Sequence, residues 1–176
     1  MARRLGPAIF LAACLIAPID AAPGSTSARR GECAGQRNAV VIDADAHRLW
    51  LCLGESVERE FTVALGQGGL GKRTTGDKRT PLGSYALGEP RASADFSLFI
   101  PVGYPTAQQR QAGFTGSDIG IHGPKKGWSW LGRITTWSDW TRGCIAVGHP
   151  QEIAEIAAWV KRHGTSLVTI LGTPKP

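Results

Sequence analysis

The stretch TTWSDWTRGCIAVGHPQEIAEIAAWVKRHG, residues 135–164, sets a cysteine, Cys144, behind a glycine, after a tryptophan-rich run and ahead of a helix. The helix is the plainest element in the chain. Pro150 suits its first turn, and Ile153, Ile156, Ala157 and Val160 recur on one face. Lys161 and Arg162 fall in the last turn, and Gly164 is placed to close it. A cysteine about one turn's length before such a helix has three readings: a buried small hydrophobe, half of a disulfide, or a nucleophile.

Outward from this segment the chain reads as strands. Runs 40–43, 48–53 and 57–65 are rich in β-branched or apolar residues and are parted by ADAH and GES, as in a β-meander. The loop GQGGLGKRTTGDKRTPLG, residues 66–83, ends in a tight turn and the short strand GSYAL. It lacks the spacing of a phosphate-cradling G-x-x-x-x-G-K-[ST] loop leading into a helix. DFSLFIPVGYP is strand-like but broken by Pro101 and Pro105, TAQQRQAGF fits a short helix, and GSDIGIHG is a strand ending at His122. TSLVTIL, residues 165–171, is a last strand. No repeat emerges, and the sum is one mostly-β domain over residues 38–172 with one or two helices.

The bulk numbers agree. A chain of 176 residues, 42% hydrophobic, with 23 Gly, 11 Pro and only 19% charged residues, suits a turn-rich globular domain with a real core. The net charge of +6 is spread over scattered Lys/Arg pairs, so no basic block marks a nucleic-acid partner. MARRLGPAIFLAACLIAPIDAA, residues 1–22, has the basic, apolar and small-residue layout of a secretory signal, which predicts export to the periplasm or cell envelope. Residues 11–14, Leu-Ala-Ala-Cys, also have the form of a lipoprotein box, and membrane attachment is expected only if Cys14 is lipidated. PGSTSARRGECAGQR, residues 23–37, reads as a linker. Without Cys14 the exported chain keeps Cys33, Cys52 and Cys144, an odd number in an oxidising compartment. A Cys33–Cys52 bridge would leave Cys144 free; a bonded Cys144, with one of the others merely buried, is the alternative. No metal-ligand spacing, cofactor motif or oligomerisation signal stands out, and a monomer is expected.

A nucleophilic cysteine needs a base, a group that orients the base, and N–H donors for an oxyanion. His47 lies in a hairpin turn, His149 at the helix start and His163 in its last turn, each with a ready structural role. His122 instead ends an apolar strand before Gly-Pro, where it can sit at the mouth of a sheet. The glycine before Cys144 lets a substrate approach the backbone.

GDKRTPLGSY, IGIHG, DWTRGCIAV, the helix and GTSLVTIL, taken in this order, resemble the L,D-transpeptidase catalytic domain (YkuD) family over residues 40–171. The resemblance implies a β-sandwich of mixed sheets with one or two capping helices. It implies Cys144 as nucleophile, His122 as base, the Gly123 carbonyl as the group orienting the imidazole, and an oxyanion or substrate site around Thr141, Arg142 and Gly143. It further implies that the partner is peptidoglycan, with a stem tetrapeptide as donor and an amine as acceptor, joined in a 3→3 cross-link without a cofactor or metal. Water as acceptor would make a carboxypeptidase or endopeptidase of the same site. The common form reads S-H-G-C-[IV]-R, whereas Arg142 here stands in place of the histidine and Ala146 in place of the arginine. Arg142 could bind a stem-peptide carboxylate or depress the thiol pKa.

Two rivals follow from the residues. A papain-type or NlpC/P60 cysteine peptidase places its cysteine before its histidine, the reverse of the order here. A non-catalytic wall-binding module would use Trp128, Trp130, Trp137 and Trp140 for stacking on sugars. Core packing is the expected place of most of these tryptophans, with a groove wall beside Cys144 as the second use.

Overall fold

The computed structural model describes residues 33–35 and 38–174; the signal segment 1–22, Cys14 and most of the 23–37 linker lie outside the described residues. The elements in chain order are β1 Ala39–Asp43, β2 Arg48–Leu53, β3 Ser56–Ala64, β4 Gly83–Ala86, β5 Arg91–Ala92, β6 Leu98–Pro101, α1 Ala107–Gln111, β7 Gly120–His122, a 3₁₀ segment Ser129–Thr136, β8 Ile145–Val147, α2 Pro150–His163 and β9 Leu167–Leu171. The protein is mostly β with few helices.

The nine strands form one mixed sheet in the order β4-β9-β1-β2-β3-β8-β7-β6-β5. β1 runs parallel to β9 and β7 parallel to β8, while the other pairs are antiparallel. The sheet curls until its two halves face each other. Just past β4 and β6 the chains meet, with Gly88 N–H donating to Pro101 O and Gly103 N–H to Ala86 O, both at 2.8 Å. The two layers of the expected sandwich are therefore halves of one sheet, continuous through β3.

The meander shows why these residues make strands buried on both faces. Val40, Ile42, Leu49 and Leu51 point into the main core, and the alternate residues Ala39, Val41, Trp50 and Cys52 face a second small core that Cys33 completes. Cys33 and Cys52 are joined by a disulfide, so a turn of the lead-in segment is bound onto the sheet. Closing this short loop stabilises the fold by about 3 kcal/mol.

α2 covers the other end of the core with Ile153, Ile156, Ala157, Trp159 and Val160. Pro150 opens it, the Glu152 carboxylate accepts from the His149 N–H at 3.0 Å, and Gly164 closes it in the left-handed region at φ 57°. The helix presses against the turn that follows His122: a methyl group on Gly123 would lie 2.9 Å from Ile153 Cγ2. Among the described residues no helix is long and apolar enough to cross a membrane.

Two features were not legible in the strand pattern. The three residues after Cys144 form β8, a central strand rather than a lead-in to the helix. The tryptophan-rich run forms the 3₁₀ segment, and it corrects the expected burial of its rings. Gly132, Thr135 and Thr136 face inward, and Trp130 and Trp137 stand 80% and 79% exposed.

Candidate active site

β7 and β8 lie side by side in parallel, with Ile121 opposite Ile145 and His122 opposite Ala146. This register brings the ends of two distant segments together, so that Cys144, one residue before β8, opens on the same cleft as His122. The cleft has a volume of about 800 Å³, and Phe96, Asp118, Lys125, Trp140 and Arg142 also line it. Gly120 allows the close packing behind it, because a methyl group there would lie 2.2 Å from the Phe99 ring.

His122 is almost wholly buried and is caged by rings. Phe96 stacks on it at 3.6 Å between centroids, and Trp140 meets it edge-on at 5.7 Å. Its Nδ1 lies 2.6 Å from the Gly123 carbonyl oxygen, which can only accept, so Nδ1 carries the proton and Nε2 keeps a lone pair. Burial in the ring cage, reinforced by the Lys125 charge and opposed by the Gly123 hydrogen bond, lowers its pKa from 6.5 to about 4. The imidazole is neutral at pH 7.

Cys144 is the free cysteine among the described residues and is partly buried, its Sγ–H donating to Asp118 O at 3.3 Å. Burial raises its pKa; the Gly120 backbone hydrogen bond and the Lys72 charge pull it down, and the Asp118 charge adds to the rise. The resting pair is thus a neutral thiol and a neutral imidazole. The Lys72 charge, from a loop distant in sequence, is among those that act on the thiol. Arg142 is exposed on the cleft wall with no ion pair among the described residues.

The loop before Cys144 is held in a fixed shape. Thr141 is buried, and its Oγ1 donates to Cys144 O at 2.7 Å and accepts from Gly143 N–H at 3.0 Å. Gly143, within the expected oxyanion or substrate site, thus directs its N–H to the Thr141 hydroxyl. Gly143 also supplies conformation: its φ is +120°, and a methyl group there would lie 2.6 Å from Arg79 O. Asp139 anchors the loop from behind, accepting from Leu65 N–H at 2.7 Å and facing His47 Nε2 at 3.1 Å.

Arg79 belongs to the loop 66–80, which forms the floor under Gly143. There Lys72 is buried, with its Nζ 2.7 Å from Asp77 Oδ1. Burial alone would raise the Asp77 carboxyl; the Lys72 hydrogen bond and the N–H groups of Thr74, Arg73 and Arg79 outweigh it and hold it at about 2. The amides of this Gly/Lys loop thus converge on an internal carboxylate. Sequence reasoning missed Phe96, Lys72 and Asp77 altogether, since a ring cage and a loop ion pair have no period. Among the described residues no cluster of His, Cys, Asp or Glu could hold a metal.

Residues 37–174 match the L,D-transpeptidase catalytic domain (YkuD). The chain belongs to this family. Family members act on peptidoglycan of the cell wall. The fold is similar to that of the helical cell shape determining protein Pgp2 from Campylobacter jejuni, at 25% identity and a TM-score of 0.63, over 78% of this chain and 48% of that one. Bd1075 from Bdellovibrio bacteriovorus shares the fold at 22% identity and TM-score 0.54, over 77% of this chain and 48% of that one. An L,D-transpeptidase from Enterococcus faecium, a C442S mutant, shares it at 16% and 0.51, over 77% and 50%. The chain spans about half the length of these structures. No curated protein sequence matches.

Proposed function

We propose that this chain is an exported cysteine acyltransferase of peptidoglycan stem peptides, an L,D-transpeptidase in activity as well as in family. The observation that carries the reading is a free thiol and a tautomer-fixed, neutral imidazole opening on one cleft. A neutral pair calls for general-base catalysis at the moment of attack rather than a standing thiolate.

Cys144 Sγ attacks the carbonyl of the third stem residue while its proton passes to His122 Nε2. In this reading the N–H groups of Arg142 and Cys144 donate to the developing oxyanion. The tetrahedral intermediate expels D-alanine, whose nitrogen takes the proton from His122, and a thioester on Cys144 remains. An acceptor amine then attacks the thioester, gives its proton to His122, and releases Cys144, which is reprotonated. Arg142 lines the cleft, and in this reading it pairs with a stem-peptide carboxylate. The shape-determining neighbour supports wall remodelling linked to cell shape as the setting.

The test is intact-mass spectrometry after mixing with a disaccharide tetrapeptide. The expected adduct is the substrate mass less D-alanine, present on wild type and absent from Cys144→Ala. A carbapenem should likewise add to Cys144. Product formed by Cys144→Ala at the wild-type rate would sink the reading, and the released muropeptides distinguish cross-linking from hydrolysis.

A further inference from the structure

The 3₁₀ segment Ser129–Thr136 reverses the usual amphipathic order. Its inward face is Gly132, Thr135 and Thr136, and its outward face carries Trp130, Ile134 and, at its end, Trp137, exposed by 80%, 53% and 79%. Large apolar side chains turned outward from an ordered backbone mark a surface made to be covered.

The backbone beneath them is fastened. Thr135 Oγ1 donates to Gly132 O at 2.8 Å, Thr136 Oγ1 to Arg133 O at 2.9 Å, and Trp140 Nε1 to Thr135 O at 2.8 Å. Gly132 sits on the His149 ring with no room for a side chain, since a methyl group would lie 2.6 Å from His149 Cε1. The exposed indoles therefore stand on a braced platform.

That platform continues into the cleft. Trp128 meets Trp140 at 5.4 Å between centroids, and Trp140 meets His122 at 5.7 Å. Lys125 Nζ lies over both the Trp128 and Trp140 rings, at 5.1 and 5.8 Å. The cation thus takes up faces at the cleft mouth, whereas Trp130 and Trp137 have no ring or cation partner among the described residues.

We infer that Trp130 and Trp137 form a stacking subsite for the glycan strand that carries the donor stem peptide. This rests on the stem-peptide reading of the cleft. A pyranose ring offers an apolar C–H face with polar edges, and this segment sets bare indoles between Ser129, Arg133 and Ser138. The cations Lys125, Arg133 and Arg142 along the path complement the carboxylates of the wall polymer. An eight-residue segment kinked at Gly132 and interrupted by polar residues lacks the continuous apolar face that a bilayer surface requires.

The test uses the full chain carrying Cys144→Ala, so that no turnover occurs, and glycan strands stripped of stem peptides by amidase. Saturable quenching of tryptophan fluorescence and co-sedimentation are expected. W130A/W137A should weaken binding by at least about tenfold with an unchanged melting curve, and either single variant should weaken it by part of that. L171A, which alters a remote exposed apolar side chain, should bind as the parent does. Absence of binding to the strands overturns the inference, as does equal binding by the double variant. Two other results overturn it too: tryptophan-dependent binding to phosphatidylglycerol vesicles that strands do not compete, or a dimer that the double variant loses. Absence of muropeptide turnover by the wild-type chain, with strand binding intact, would remove the catalytic reading of Cys144 and leave this one standing.

Discussion

The loop 66–80 buries a lysine, whereas the segment 128–137 exposes three tryptophans, and Cys144 sits between them. In the loop, charge goes inward because it can be satisfied there: Lys72 meets Asp77 at 2.7 Å, and three backbone N–H groups converge on the same carboxylate. In the segment, apolar rings go outward because the interior side is already filled by Gly132, Thr135 and Thr136. The first region spends its polar groups on holding a shape, and the second leaves its surface available. The difference separates scaffold from the proposed contact surface on either side of Cys144.

The largest effect is expected where the scaffold touches the proposed nucleophile, Cys144. Gly143→Ala puts a methyl group 2.6 Å from Arg79 O at a φ of +120°, so either the cysteine loop or the loop 66–80 must move. Thioester formation should fall about a thousandfold, on the scale of losing an oxyanion donor. The measurement is the single-turnover acylation rate beside a thermal melt. An active Gly143→Ala enzyme would show that the loop beneath does not set the geometry of Cys144.

Next comes the buried pair. Asp77→Asn leaves the Lys72 ammonium buried without its counter-charge and should cost about 3 kcal/mol in urea unfolding at pH 7. K72M/D77N should recover part of that loss, because the uncompensated charge is gone. The pH sign follows from the lowered carboxyl. The stability that Asp77 contributes is fully present above its ordinary value of 3.8 and is lost as pH falls toward about 2. That acid limb should flatten in Asp77→Asn, and an unchanged limb would place the stabilisation elsewhere.

Legibility in the sequence divides along similar lines. The meander, α2 and the last strand were readable because their apolar residues keep a period and their ends carry Pro, Gly and charge signals. Cys144 and His122 were readable because each stands beside glycine at an element end. The short β8 was not, since three apolar residues have no period of their own and become a strand only by pairing with β3 and β7. The Lys72–Asp77 pair, the Phe96–Trp140 cage and the outward tryptophans depend on contacts between segments. Side-chain composition there predicts the opposite burial, because Lys is ordinarily exposed and Trp ordinarily packed.

The smallest effect tests whether the ring cage belongs to the scaffold or only borders the contact surface. His122 is held at about 4 by burial between Phe96 and Trp140, so the fraction of neutral base should stay near complete down to about pH 5.5. An imidazole at its ordinary 6.5 would retain about one-tenth at that pH, so the two cases differ about tenfold in kcat/KM. Folding stability should follow the same window. The unfolded chain takes up a proton between pH 6.5 and 4 that the folded chain refuses, so stability falls as pH drops through that range. Trp140→Ala opens one wall to water and should move the acid limb of kcat/KM upward toward 6.5. If wild type already loses activity at 6.5, the cage does not set the base. If Trp140→Ala leaves a low limb in place, Phe96 and the strand end set it without the ring that joins His122 to the exposed platform.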